Sequence, residues 1–176
     1  TARAFVPGHV TGFFSVHPAD DPRVAGSRGA GLALSDGVTV RVEERAETTI
    51  ELNGERVEMG AVDGVLDRLD TSAHVVCETP LPLSAGFGVS GACALGTALA
   101  VDARRSERTE NELVAIAHAA EVEAGTGLGD VVGQARGGMP LRLEPGAPPR
   151  GRMDGLAARP DIEYLTYGGL DTAEVI

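Results

Sequence analysis

Apolar and polar residues alternate along several short stretches of this 176-residue chain and recur every three or four residues along others. Ala2-Arg-Ala-Phe-Val6 reads as a short strand that Pro7-Gly8 should halt. His9 to Phe14 follows, then a polar loop from His17 to Arg23, then a flexible glycine-spaced element, Gly26-Ser-Arg-Gly-Ala-Gly31. Leu32-Ala-Leu34 leads to Asp36-Gly37, which should turn the chain into a strand from Val38 to Val42. Thr48 to Leu52 and Glu55 to Met59 flank Asn53-Gly54, a dipeptide suited to a tight hairpin. Val62, Val65, Leu66 and Leu69 predict a helix from Ala61 to Asp70, and Ala73 to Glu78 predicts a strand.

A helix of small residues, Ala92 to Ala100, continues the glycine-rich stretch before it. A further helix starts at Thr109, whose Glu112 three residues on completes a capping box. It carries Leu113, Ile116, Ala117 and Ala120 and stops before Gly125-Thr-Gly-Leu-Gly129-Asp130. Val131-Val132 reads as buried strand, and Met139 to Leu143 as an alternating strand after a Gly137-Gly138 kink. Pro145-Gly-Ala-Pro-Pro149 reads as a linker, with another strand opening at Asp161 and running to Gly169. Strands come early, helices later, and no internal repeat is visible, so the expected class is α+β.

Hydrophobic residues make up 43 % of the chain and aromatics 3 %, which implies an aliphatic core rich in alanine and glycine. Twenty-six acids stand against fifteen arginines and no lysine, for a formal charge of −11. That excess argues against nucleic acid or an anionic membrane as partner. It suits a salt-adapted cytoplasm and a GC-rich genome equally. Cys77 and Cys93 each lie in an apolar stretch and read as two buried thiols of a cytoplasmic protein, with nothing to support a disulfide. No signal peptide, membrane-spanning run or lipidation motif is legible, and the start at Thr1 is compatible with a short trimmed leader.

Candidate chemistry concentrates in Pro82, Ser84, Ala85, Gly86, Phe87, Gly88, Val89, Ser90, Gly91 and Ala92. Glycines let a backbone turn its N–H groups toward a ligand, and the helix behind adds unpaired N–H groups and the positive end of its dipole. That combination is a phosphate cradle. Without lysine a P-loop is excluded, so phosphate here is held by backbone, metal and arginine. Gly86, Gly88 and Gly91 also spell the dinucleotide fingerprint G-x-G-x-x-G. However, Pro80 and Pro82 break the approach, and the charged run Asp102 to Arg108 stands where a strand should follow. A tight turn packed for structural reasons is the plain alternative. The pattern P-x-x-x-G-x-G-x-S-G/A-A fits better, and it is similar to the nucleotide loop of the GHMP kinases, the family of galactokinase, homoserine kinase and mevalonate kinase.

Phosphoryl transfer to an alcohol also needs a magnesium site and a group that positions the hydroxyl. Ser90 stands where its hydroxyl reaches a metal, and equally where a helix N-cap stands. His118 and Glu121, three residues apart, share one helix flank beside the apolar stripe. They read either as cleft residues, with Glu121 a metal ligand, or as part of a solvated charged face with Glu110, Glu112 and Glu123. Asp130 ends a turn with three glycines and suits a general base, a helix cap or a turn aspartate. Arg142, between Leu141 and Leu143, should point away from the core, where it binds a substrate carboxylate or merely lies exposed.

Four motifs together resemble the archaeal pantoate kinase branch of the GHMP family: Val6-Pro-Gly-His-Val-Thr-Gly-Phe-Phe14, Gly26 to Gly31, Pro82 to Ala92, and Glu121 through Gly138. The resemblance implies ATP-dependent phosphorylation of the C4 hydroxyl of (R)-pantoate in coenzyme A synthesis. It implies Ser90 and Glu121 as magnesium ligands, Asp130 as the residue that accepts or orients the hydroxyl proton, and Ser27, His118 and Arg142 as pantoate contacts. It also implies a homodimer and a cleft between two domains. The first is an α+β domain like domain two of ribosomal protein S5, expected at residues 1–149. The second is ferredoxin-like, with residues 150–176 expected to supply only a linker and a first strand. No third glycine-rich motif follows Pro149, so the expected protein is a partial one, with cradle and metal residues but no closing wall. Archaeal shikimate kinase is the nearest rival within the family. A dinucleotide-dependent oxidoreductase and a non-catalytic nucleotide-binding module are the rivals outside it.

Overall fold

Two strands far longer than their local signals predict organise the molecule. In the computed structural model, which describes residues 1–168, β1 (Ala2–His17) pairs antiparallel with β2 (Gly26–Glu44) along nearly its whole length. Pro7-Gly8 does not halt β1, and Asp36-Gly37 does not turn β2. The two dipeptides meet at a bulge, where the register moves from Pro7↔Gly37 to His9↔Ala33. A bulge leaves residues out of the ladder, so a proline without an N–H is accommodated there. Gly37 comes so close to the Val6 carbonyl and Pro7 that a Cβ would collide with them. Gly26 to Gly31, expected to be flexible, is the first part of β2.

β2 carries β1 on one edge and two partners in succession on the other. β5 (Ala73–Glu78) pairs with Thr39–Glu44, and β6 (Met139–Arg142) pairs at Gly29 and Ala30. β3 (Thr49–Leu52) lies parallel to β5, and β4 (Glu55–Arg56) forms the predicted hairpin with β3. Asn53 and Gly54, at φ 51° and 84°, take the left-handed conformations that such a turn demands. Sheet order is β4-β3-β5-β2-β6-β7, a mixed sheet with β1 also on β2.

The sheet buries one face. Val38, Val40 and Val42 alternate inward with Val6, Ile50, Val75 and Cys77, while Arg41 and Glu78 pair on the open side. Helix α1 (Gly60–Arg68) joins β4 to β5, and α2 (Val89–Asp102) packs on β1 and β2. Helix α3 (Glu110–Ala124) packs on α1 and α2. Its N-terminus is the predicted capping box of Thr109 and Glu112, and Gly125 ends it in the left-handed conformation. Cys77 and Cys93 are buried and free, as their apolar surroundings implied. Among the described residues no helix is long and apolar enough to cross a membrane.

Three expectations need correction. Val131-Val132 belongs to a helix, α4 (Asp130–Arg136), whose acidic first residue favours the positive end of the helix. Pro145 to Pro149 packs as part of the body: the Ala147 N–H donates to the Arg23 carbonyl at 2.9 Å, and Ala147 is buried. The chain then returns as β7 (Met153–Leu156), antiparallel to β6 in the same sheet. The strand expected from Asp161 is absent through residue 168, and its end at Gly169 lies outside the described residues.

Helix α2 approaches the sheet at Gly96, where an added Cβ would collide with Val40 Cγ2 and stand 3.0 Å from Val40 Cβ. Gly96→Leu is therefore expected to lower stability by about 3 kcal/mol or more, outweighing its better helix propensity. Denaturant unfolding of the two proteins measures the difference.

Candidate functional site

The chain from β5 to α2 is pinned before it becomes a site. The Thr79 hydroxyl donates to the Gly37 carbonyl at 2.9 Å and accepts from the Leu81 N–H at 3.1 Å. Beyond it, Leu83 to Gly91 form one wall of a cleft of about 640 Å³, with Glu121, Thr126 and Asp130 facing them. That volume suits a small-molecule ligand. Pro82 lies just before this wall, and Ala92 is buried in the core. The loop's carbonyls are used on the protein side: Phe87 O accepts from the His9 N–H at 3.0 Å, and Gly88 O accepts from Gln134 Nε2 at 2.7 Å.

Its amides are not used in that way. Gly88, at φ 65°, is the N-cap of α2 and offers no capping side chain. Among the described residues the N–H groups of Val89, Ser90 and Gly91 find no protein acceptor. Three unpaired donors at the positive end of a 14-residue helix favour an anion. The G-x-G-x-x-G reading fails here. Helix α2 leads through a turn into α3 and into no second strand, so the βαβ unit that the fingerprint requires is missing.

Ser90 is the second residue of α2, so it is not the N-cap. Its hydroxyl donates to Glu121 Oε1 at 2.5 Å, and the Thr126 hydroxyl donates to the same oxygen at 2.7 Å. Glu121 is 2 % exposed, which ends the reading of this flank as a solvated face. Burial raises its pKa to about 7; the two hydroxyl bonds oppose the rise, and the nearby Asp130 carboxylate adds to it. Gly127 separates the two carboxylates, since a Cβ there would collide with Glu121 Oε2 and stand 3.6 Å from Asp130 Oδ2. Asp130 opens α4, and its Oδ1 lies 2.7 Å from Nδ1 of His9.

Ser27 and Arg142 meet behind the turn that carries Asp130. Arg142 Nε donates to Ser27 Oγ at 3.2 Å, and that hydroxyl donates to the Leu128 carbonyl at 3.3 Å. Arg142 does not point away from the core: it is 3 % exposed, and Nη1 is buried without a partner. Burial lowers its pKa, and the charge of Asp130 opposes that shift. His118 does not look into an open cleft either. It is buried, its Nε2–H donates to the Ala25 carbonyl at 2.8 Å, and burial lowers its pKa. Ser90, Glu121 and Asp130 therefore share one cleft, Ser27 and Arg142 form a second group behind it, and His118 supports Ala25 from below.

His9 and Gln134 were not among the candidates. Both reach the site only through contacts more than forty residues away in sequence. The one local trace was His9's place inside the motif from Val6 to Phe14.

The raised pKa of Glu121 has a signed consequence. The native state holds this proton more tightly than the unfolded chain, so the stabilisation is full below about pH 4.5 and is lost as pH rises through about 7. Glu121→Gln removes this dependence. Its stability relative to the wild-type protein should rise by on the order of 3 kcal/mol between pH 4.5 and 8, read from denaturant melts across that range.

Comparison with known proteins identifies the family and the fold. Residues 56–138 match the GHMP kinases N terminal domain. Pantoate kinase of Methanocaldococcus jannaschii is 36 % identical over 149 residues, which is 82 % of this chain and 54 % of that protein. Pantoate kinase of Methanospirillum hungatei is 34 % identical, over 98 % of this chain and 63 % of its own length. The chain thus spans between 54 % and 63 % of these curated relatives. A solved structure described as a phosphotransferase related to the CoA biosynthesis pathway superposes with a TM-score of 0.78 at 36 % identity, over 88 % of this chain and 56 % of that one. Mevalonate-3-kinase from Thermoplasma acidophilum shares the fold at a TM-score of 0.60 and 18 % identity, over 87 % of this chain and 49 % of that one. The chain belongs to the GHMP kinase family, forms that family's N-terminal domain, and counts pantoate kinases among its relatives.

Proposed function

We propose that this chain carries the nucleotide site and base of an ATP-dependent small-molecule kinase. Its acceptor is the C4 hydroxyl of (R)-pantoate, and its products are 4-phosphopantoate and ADP. The observation that carries this reading is the cleft in which the free amides of Val89 to Gly91 face Glu121 and Asp130. The choice of pantoate is supported by relatives of that activity at 34 % and 36 % identity and by the motif from Val6 to Phe14.

In this reading the amides of Val89, Ser90 and Gly91 hold phosphate oxygens of ATP, a task for which the chain has no lysine. Ser90 and Glu121 suit magnesium. They offer hard oxygen donors, and the described residues contain no group of three or more His, Cys, Asp or Glu side chains that could cage an ion alone. One carboxylate plus ligand phosphates is a usual magnesium environment. Held by Ser90 and Glu121, such an ion would supply positive charge beside the phosphate oxygens during transfer. Asp130 orients the acceptor hydroxyl and takes its proton as the oxygen bonds to the γ-phosphorus and the bond to ADP breaks. Arg142 and Ser27 receive the carboxylate of pantoate, for which the unpartnered Nη1 of Arg142 is a ready donor.

The test is ADP release with MgATP over a panel of hydroxy acids that includes pantoate and shikimate. Pantoate-dependent release is expected; release driven by shikimate alone would reassign the acceptor, and tight NADH binding would overturn the kinase reading. Asp130→Asn should lower kcat by roughly 100-fold or more while leaving nucleotide affinity in place. Arg142→Gln should raise KM for pantoate by about 10- to 100-fold, the worth of a charge-assisted hydrogen bond, with little change in KM for ATP.

A further inference from the structure

We infer that His9 is a positioning residue of this site, fixing one oxygen of Asp130 relative to the phosphate loop. The inference rests on the kinase reading above for its chemistry, and on geometry alone for the pairing. His9 follows the bulge in β1 and is fully buried. Its backbone N–H donates to Phe87 O at 3.0 Å, and its ring Nδ1 lies 2.7 Å from Asp130 Oδ1. One residue thus grips the loop with its main chain and the carboxylate with its side chain. Among the described residues this is the one side-chain hydrogen bond that Asp130 makes. Glu121 from α3 and Arg142 from β6 face Asp130 through charge without bonding to it.

The second observation is the other ring nitrogen. Nε2 is buried and has no partner. Gly31 and Gly133 close around it: a Cβ on Gly133 would stand 2.8 Å from Nε2, and one on Gly31 would collide with it. A buried N–H with no acceptor is costly, so the ring proton belongs on Nδ1, pointed at Asp130, and Nε2 carries only a lone pair. A histidine that merely fills the core would spend its N–H on a carbonyl, as His118 does with Ala25. His9 instead spends it on Asp130, a carboxylate that lines the cleft.

With Oδ1 occupied, the carboxylate cannot rotate freely, and Oδ2 is the oxygen left to meet the acceptor. In the proposed step the acceptor oxygen bonds to the γ-phosphorus and the bond from that phosphorus to the bridging oxygen of ADP breaks. The hydroxyl proton moves to Asp130 Oδ2 and then to water. The His9 proton stays on Nδ1 throughout, so His9 orients the base and exchanges nothing.

The experiment compares His9→Leu, which removes the donor, with His9→Asn, whose amide N–H stands close to the Nδ1 position. His9→Leu should lower kcat about 100-fold with both KM values within about threefold of wild type, and His9→Asn should recover about a tenth of the wild-type kcat or more. An unchanged kcat in His9→Leu, or a loss confined to KM, overturns the inference. If the wild-type protein releases no ADP with any acceptor, the kinase reading fails by itself. Nitrogen NMR of the imidazole then decides the pairing, and it also serves if His9→Leu does not fold. A protonated Nδ1 whose resonance shifts in Asp130→Ala is expected. A proton on Nε2, or a resonance indifferent to Asp130→Ala, overturns the pairing.

Discussion

Helix α2 is buried on nearly every side, and only Ser90 and Leu99 keep partial exposure. A helix without a polar face cannot be oriented by solvent, so packing alone must set its height and rotation. Gly96 lets it sit down on Val40, and Cys93 and Ala98 fill the space between sheet and helices. Once that contact is made, the N-terminus of α2 emerges at a defined place over the cleft. The bond from Ser90 to Glu121 then ties it to α3, and Gln134 ties Gly88 to α4. The site inherits its geometry from the core.

The electrostatics follow an unusual division. A chain of net charge −11 without lysine repels a polyphosphate at long range, so attraction must come from near contacts. Unpaired amides supply it without bringing in a charge of their own. Glu121 shows the other half of the design. Its carboxyl is buried, with hydroxyl donors and no ion pair among the described residues, and burial raises its proton affinity where, in the proposed complex, a cation would sit.

Local signals were read well where the energetics are local. Asn53-Gly54 makes its turn because few other dipeptides accept two positive φ angles, and Thr109 with Glu112 caps α3 through bonds spanning three residues. The same reasoning failed at Pro7-Gly8 and Asp36-Gly37. Each is a sound stop signal by itself, yet the two face each other across a bulge, and the long strands continue past them. Arg142 failed for a related reason. Alternation told which residues share a face, while the burial of that face depended on the turn at Gly129 closing over it.

The α+β class, the Asn53-Gly54 hairpin, the cap of α3 and the family were legible in the residues alone, because each depends on neighbours a few positions apart or on contiguous motifs. Which acids are buried, which histidine holds Asp130, and whether the Pro145 to Pro149 segment hangs free or packs were settled by contacts between residues distant in the chain. Burial and hydrogen-bond partnership are properties of a site's whole surroundings. Those surroundings exist only once β1, β2 and α2 have closed on one another.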